Sequence, residues 1–397
     1  MTHREMTLTE VRPAEIVALP ALMDMTPPEL RSLIEETHSR EDAASIYMQM
    51  FYVFLLTSQH EAAAEMQSRA LQLRRIYRIK GKPDPKLRLL VVMGPGNMQD
   101  NTPIEFVLHG CHVQTDILYL LPDDDAPLEL PAHDVTFIAI GESGKNVALL
   151  KNLADRLSDW PTPVINHPRF IRNCARDTCY QLLRDIAGVV MPPTLKMCRG
   201  ELPPISFPIT IRPIDTQGGE GLERVEDDAA LQGYLAANSA QNFYVAQFVN
   251  YRSADGQFRK MRIVLIDGVP HICHLAISSH WMVHYLSAGM AESEGKRAEE
   301  QLCMESFETT FAVRFSAQLT AVALALQLDY VTIDCAVSRE GDLLVFEVDS
   351  RGIIHAADPV HIHPYKPAVM QKAFDAFENL LLNRAKVPNR DKYPHVR

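Results

Sequence analysis

The stretch LDYVTIDCAVSREGDLLVFEVDSRG, Leu328 to Gly352, decides how this 397-residue chain is read. Val331, Ile333, Cys335 and Val337 alternate with Thr332, Asp334 and Ala336, the period of two expected of a half-buried strand. After Arg339-Glu340-Gly341-Asp342 the alternation resumes, with Leu344, Phe346 and Val348 on the apolar side, so Glu347 and Asp349 project together from the opposite face. A two-residue turn at Glu340-Gly341 pairs Arg339 with Asp342 and, continued outward, sets Asp334 directly across from Glu347. Three carboxylates then share one patch. Like charges facing each other destabilise a sheet, so such a patch needs open solvent or a cation. Oxygen donors without histidine or thiolate suit Mg²⁺ or Mn²⁺. The alternative is a hairpin with a solvated acidic face.

The rest of the composition narrows the class. A chain of 397 residues exceeds what one core usually serves, so two or three domains are expected. With 39 basic against 50 acidic side chains the net charge is −11, which, without a long basic run, argues against a nucleic-acid partner. The seven cysteines are scattered and lack CxxC spacing, which fits neither a disulfide framework nor a zinc site and is simplest in a reducing compartment. The polar N-terminus does not read as a signal peptide, and the apolar run from Ile46 to Leu56 is too short to span a bilayer. A cytoplasmic protein with no membrane partner is expected.

Along the chain, residues 1 to about 27 read as an irregular arm. Pro28 to Ile79 carries apolar residues at steps of three and four (Ile46, Met50, Val53, Phe54; Ala63, Met66, Ala70, Leu73, Tyr77), predicting two or three packed helices whose use is packing or homodimerisation. Past Gly81-Lys82-Pro83 the order becomes strand (Leu87–Met93), loop from Gly94 to Thr102, helix, then strands at Val113–Leu121 and Val135–Ile140, which implies a small parallel sheet. That loop falls where α/β sheets bind ligands, but it lacks GxGxxG spacing. Next come a helix bearing Arg176, the short strand Ile209-Thr210-Ile211-Arg212-Pro213, and the run Asp215-Thr216-Gln217-Gly218-Gly219-Glu220-Gly221, whose backbone N–H groups can approach phosphate oxygens. An apolar strand, Tyr244 to Asn250, precedes a strand with Arg262 in it and the histidine-rich run HLAISSHWMVHY. A long helix, with Phe311, Phe315, Leu319, Val322 and Leu326 on one face, leads into the hairpin.

In this order the pieces resemble the ATP-grasp superfamily, whose ligases hold ATP between two α+β subdomains; the resemblance runs from about Asn166 to Leu382. It implies a mixed α/β and α+β chain: an N-terminal helical segment (1–84), a small parallel-sheet pre-ATP-grasp domain (85–165) and a two-subdomain ATP-grasp core (166–397). Arg212, Gln217, Gly218, Gly219 and Gly221 resemble the strand and loop that cover the phosphates, with Arg176 standing in for a lysine absent at Thr178. Gln247, Phe248 and Val249 resemble the hinge that meets adenine. Asp334 and Glu347 match the two acidic Mg²⁺ ligands, and Asp349 takes the place usually held by asparagine. Arg262 and Arg351 are the candidates for stabilising the transferred phosphate. The implied activity is an ATP- and Mg-dependent joining of a small-molecule or peptide carboxylate to an amine or similar nucleophile through an acyl phosphate. The alternatives are a phosphotransferase on the same scaffold and a non-catalytic ATP-binding protein. A substrate role for His274, His280, Trp281 and His284 rests on their position alone.

Overall fold

The structure, a computed structural model, describes residues 7–8, 13–38, 43–81, 84–122, 129–201, 205–216 and 218–386. Gln217 lies outside them. The chain forms two compact units, Met1–Ile171 with Arg351–Ala357 and Phe374–Arg397, and Arg172–Ser350 with Asp358–Ala373.

In the first unit β1 (Thr7–Leu8) pairs with β6 (Glu129–Leu130), while β2 (Ala14–Ile16), β3 (Ile76–Ile79), β4 (Leu87–Met93), β5 (Val113–Tyr119), β7 (Val135–Ile138) and β8 (Val164–Ile165) form one sheet. Its order is β2-β3-β5-β4-β7-β8, parallel throughout except at the β3–β5 junction. The helical reading of Tyr77 is corrected here. The helix His60–Leu73 stops and Ile76–Ile79 is a strand, because an Ile-Tyr-Arg-Ile run suits a pleated surface and completes pairing with β5. Tyr77 is fully buried and its hydroxyl donates to the Ala70 carbonyl at 2.8 Å. The loop from Gly94 to Thr102 is closed by polar side chains, Asn101 from within it and Gln67 from the helix His60–Leu73. The Asn101 side chain accepts from the Gly94 N–H at 2.8 Å and donates back to the Gly94 carbonyl at 2.9 Å, and Gln67 makes the same reciprocal pair with Gly96.

Under this sheet sits a buried carboxyl. Glu105 accepts from the Leu19 N–H at 2.6 Å and the Tyr52 hydroxyl at 2.9 Å. Burial pushes it up to about 7, against the pull of those two hydrogen bonds. A carboxyl raised in the folded state binds its proton there while the unfolded chain has lost it, so this group's contribution to stability falls as pH rises from about 4.5 to 7, on the order of 3 kcal/mol in all. Protection of β2 and β4 amides in hydrogen exchange is therefore expected to be greater at pH 5 than at pH 8, and Glu105→Gln to flatten that difference. Equal slopes in both proteins contradict the assignment.

The second unit holds two sheets. The strands β9 (Val189–Val190), β10 (Thr194–Cys198), β11 (Ile209–Pro213), β12 (Glu223–Val225) and β13 (Asn242–Gln247) are followed by β14 (Phe258–Ile266), β15 (Val269–Ser278), β16 (Tyr330–Val337) and β17 (Leu343–Asp349). The first sheet has order β10-β13-β11-β12, all antiparallel, with the helix Asp228–Ala237 laid on it through Leu231 and Leu235 against Ile209, Ile211, Phe243 and Val245. Asp227 caps that helix, its carboxylate accepting from the Ala230 N–H at 2.9 Å. The second sheet has order β15-β14-β16-β17-β9, antiparallel but for β9. The long helix expected ahead of the hairpin is broken at Phe315, where the backbone leaves helical geometry, into Phe311–Arg314 and Ser316–Leu326; a separate helix, Glu294–Ser306, precedes them. Among the described residues no helix is long and apolar enough to cross a membrane.

Candidate active site

The hairpin of β16 and β17 meets the expected pairing by an unexpected route. Its turn is one residue longer than a two-residue turn, with the Ser338 N–H donating to the Asp342 carbonyl at 2.9 Å and Gly341 at φ +96°. The extra residue moves Cys335 opposite Val345, and a bulge between Asp334 and Cys335 then takes up the slip, so Asp334 does face Glu347 and Thr332 faces Asp349.

A second bulge, between Arg262 and Ile263 on the β14–β15 side, sets His274 opposite Arg262, and Arg262 in turn pairs with Asp334. The result is a row of polar side chains across four strands: His274, Arg262, Asp334 and Glu347. A bulge adjoins the row at each end, which is where sheets re-aim side chains at functional sites.

The row carries its own counter-ions. Arg262 Nε donates to Asp334 Oδ1 at 2.7 Å and Nη2 to Oδ2 at 3.1 Å, while Lys260 Nζ donates to Oδ2 at 2.9 Å. Burial alone would raise the Asp334 carboxyl, but Lys260 and Arg262 override it and hold the group well below the usual carboxylate range. Arg176, at the start of the helix Arg176–Leu183, donates to Glu347 Oε1 at 2.6 Å. Burial raises the Glu347 carboxyl and Asp334 adds to that; Arg176 and Arg212 outweigh both, so it too stays low. The crowding of acids expected from the sequence is thus relieved by basic side chains of the protein.

Arg212 is buried on β11, where its guanidinium donates to the Thr216 hydroxyl at 3.0 and 3.1 Å and so holds the turn leading into the glycine loop. Burial, and then the positive charge of Arg176, bring it down to about 10. Gly218, Gly219 and Gly221 all have left-handed φ, +59°, +82° and +63°, and a Cβ on Gly221 would lie 2.7 Å from Pro213 Cδ. The strand β13 bridges its sheet. The Gln247 N–H donates to the Pro193 carbonyl at 3.0 Å, its side-chain amide to the Pro208 carbonyl at 3.0 Å, and the Phe248 N–H to the same carbonyl at 3.1 Å. Phe248 lies between the Arg224 guanidinium, 4.1 Å from its ring centre, and the edge of Trp281 at 5.7 Å. Val249 follows β13 in the loop that leads towards β14.

Arg351 belongs to the first unit. There its side chain lies against the Gly141 backbone, so close that a Cβ on Gly141 would sit 1.7 Å from Arg351 Cδ. His280 lies in an exposed turn, and His284 is half-buried. The His274 ring packs, tilted, on that of Tyr285 with 4.6 Å between centres; burial, and then Arg262, hold its imidazole neutral, well below its ordinary range.

Two features of this region were not read from the sequence. Lys260 is one; its signal is the Lys-Met-Arg spacing, which puts it on the same strand face as Arg262. The other is a buried network in which Glu300 accepts from the Leu275 N–H at 3.2 Å, Tyr285 at 3.0 Å and Tyr365 at 2.6 Å, with Lys366 at 3.5 Å from Glu300 and 2.8 Å from Asp358. It fastens the segment after the hairpin to β15. Nothing local in the sequence announces it.

For a divalent cation the donor types fit: Asp334, Glu347 and Asp349 offer hard oxygens on adjoining strands. They are not gathered into a cluster, since among the described residues no three His, Cys, Asp or Glu side chains are grouped to hold a metal ion. Salt bridges from Lys260, Arg262 and Arg176 occupy Asp334 and Glu347 instead.

No protein-family model matches the sequence, and no curated protein is significantly similar to it. Solved structures are. The D-alanine–D-alanine ligase of Bacillus anthracis complexed with ATP is 14% identical, with 75% of this chain and 96% of that one covered and a TM-score of 0.41. The VanG D-Ala:D-Ser ligase of Enterococcus faecalis is 12% identical over 75% of this chain and 99% of its own, with a TM-score of 0.47. The ATP-grasp ligase PsnB, complexed with the precursor peptide PsnA2 and AMPPNP, is 12% identical over 76% and 100%, with a TM-score of 0.41. At these identities and TM-scores the likeness assigns neither a family nor an activity to this chain. In the second unit an antiparallel sheet carrying a glycine loop precedes a second sheet that holds the Asp334–Glu347 hairpin.

Proposed function

We propose that the chain is an ATP-dependent ligase that joins a carboxylate to an amine through an acyl phosphate, releasing ADP and phosphate. The observation that carries this reading is the charge of the row and its surroundings. Lys260, Arg262, Arg176 and Arg212 stand against Asp334, Glu347 and Asp349, leaving one positive charge over. That balance suits a polyanion such as a nucleoside triphosphate, which can bring its own cation.

The parts then take roles by chemistry. Gly218, Gly219 and Gly221 present backbone N–H groups to phosphate oxygens, with Gln217 in the same loop. Gln247, Phe248 and Val249 border the base. Asp334, Glu347 and Asp349 would hold Mg²⁺, which supplies charge neutralisation at the phosphates when bound. Arg262, fixed by Asp334, meets the charge that develops on the transferred phosphoryl group.

A carboxylate oxygen of the acid attacks the γ-phosphorus, and the bond from that phosphorus to the bridging oxygen breaks, its electrons leaving with ADP. The amine nitrogen then attacks the acyl carbon, the carbon–oxygen bond to phosphate breaks, and the nitrogen loses a proton to solvent. ADP release that requires both an acid and an amine, measured over a panel of amino acids, dipeptides and simple amines, is the expected result. Formation of AMP and pyrophosphate contradicts the reading.

A further inference from the structure

Resting on that reading of the site, we infer that Lys260 is a phosphate-binding side chain of the ligase, the one that takes the terminal phosphate of ATP. Asp334 already has a full counter-ion: Arg262 spans both of its oxygens, at 2.7 and 3.1 Å. A bidentate guanidinium satisfies a carboxylate in charge and geometry. Lys260 nevertheless places a second cation on the same buried carboxylate, 2.9 Å from Oδ2, beside Arg262 on one face of β14.

Two like charges next to each other at a largely buried site cost stability unless something else draws them there. A ligand with several negative charges does so. Lys260 is built for transfer between partners, because an ammonium on a flexible stem can swing from a carboxylate to a phosphate while the planar Arg262 fork stays docked. Its place in the row locates the phosphate. Lys260 reaches the same carboxylate as Arg262, and Glu347 lies across from that carboxylate, so a group bound there sits where the transferred phosphoryl must lie. Freed of Lys260, Oδ2 of Asp334 keeps its bond from Arg262 and gains one accepting position.

The purely structural account is that two cations bracket one buried acid and do nothing more. The two accounts differ in what removing the lysine does to ATP relative to ADP. Calorimetric titrations of the full chain with ATP and with ADP, each with Mg²⁺ and again in EDTA, separate them. Lys260→Met is expected to weaken ATP binding about 10- to 100-fold, the size of a lost charge-assisted hydrogen bond, while ADP binding changes less than about threefold. Lys260→Arg is expected to recover most of the ATP affinity. Thermal unfolding of each variant shows whether the fold is kept. Equal weakening of ATP and ADP, or no change in either, overturns the inference while leaving the nucleotide site in place. A wild-type chain that binds neither nucleotide overturns the site itself.

Discussion

Asp334→Asn is expected to lower the stability of the second unit by about 3–5 kcal/mol, because it strands two cations in a largely buried place without their shared carboxylate. Asparagine keeps the shape and one acceptor oxygen, so the loss reports the charge. Lys260 and Arg262 are largely buried, at 18% and 26% exposure of their side chains, and water can relieve only part of their repulsion. The thermal midpoint should fall by on the order of 10 °C, and ATP turnover should be lost even below that temperature. The double change Lys260→Met with Asp334→Asn should recover part of the stability, since one of the stranded charges goes, without recovering turnover. An Asp334→Asn chain as stable as the wild type contradicts the view that this carboxylate anchors the row.

Arg262→Lys separates charge from geometry at the same place. The positive charge stays, so the fold and ATP·Mg²⁺ binding are expected to hold within about threefold. A lysine cannot span both oxygens of Asp334 or present a planar fork to the phosphoryl group, so kcat for ADP release is expected to fall by about 10²–10³ with KM for ATP little changed. The readings come from calorimetry and a coupled ADP assay on one preparation. Loss of binding in proportion to loss of turnover shows instead that Arg262 holds ground-state ATP and has no special part in the transfer.

The acid pair was legible because strand parity is a strong local rule. Asp334 and Glu347 meet whether the turn has two residues or three, since the bulge between Asp334 and Cys335 restores the register that the longer turn shifts. What the acids meet was less legible. Alternation along β14 puts Lys260 and Arg262 on one face, but only the pairing of β14 with β16 shows that both reach Asp334. The expectation of crowded negative charge failed for that reason: the neutralising side chains come from a strand about seventy residues earlier and from the helix that begins at Arg176. His274 enters the row through a one-residue slip between β14 and β15 that no periodicity announces. Tyr77 was misread because a helical step of three and four runs on past Leu73 by coincidence, and pairing with β5 outweighed it.

The acyl-phosphate route makes one prediction that an AMP-forming route does not share. An acid that supports ADP release, prepared with ¹⁸O in its carboxylate, should pass one labelled oxygen to the phosphate, seen as an isotope-shifted ³¹P resonance of inorganic phosphate beside unlabelled ADP. Label appearing in AMP, or phosphate released without label while the amide forms, contradicts the assignment of this chain as an ADP-forming ligase.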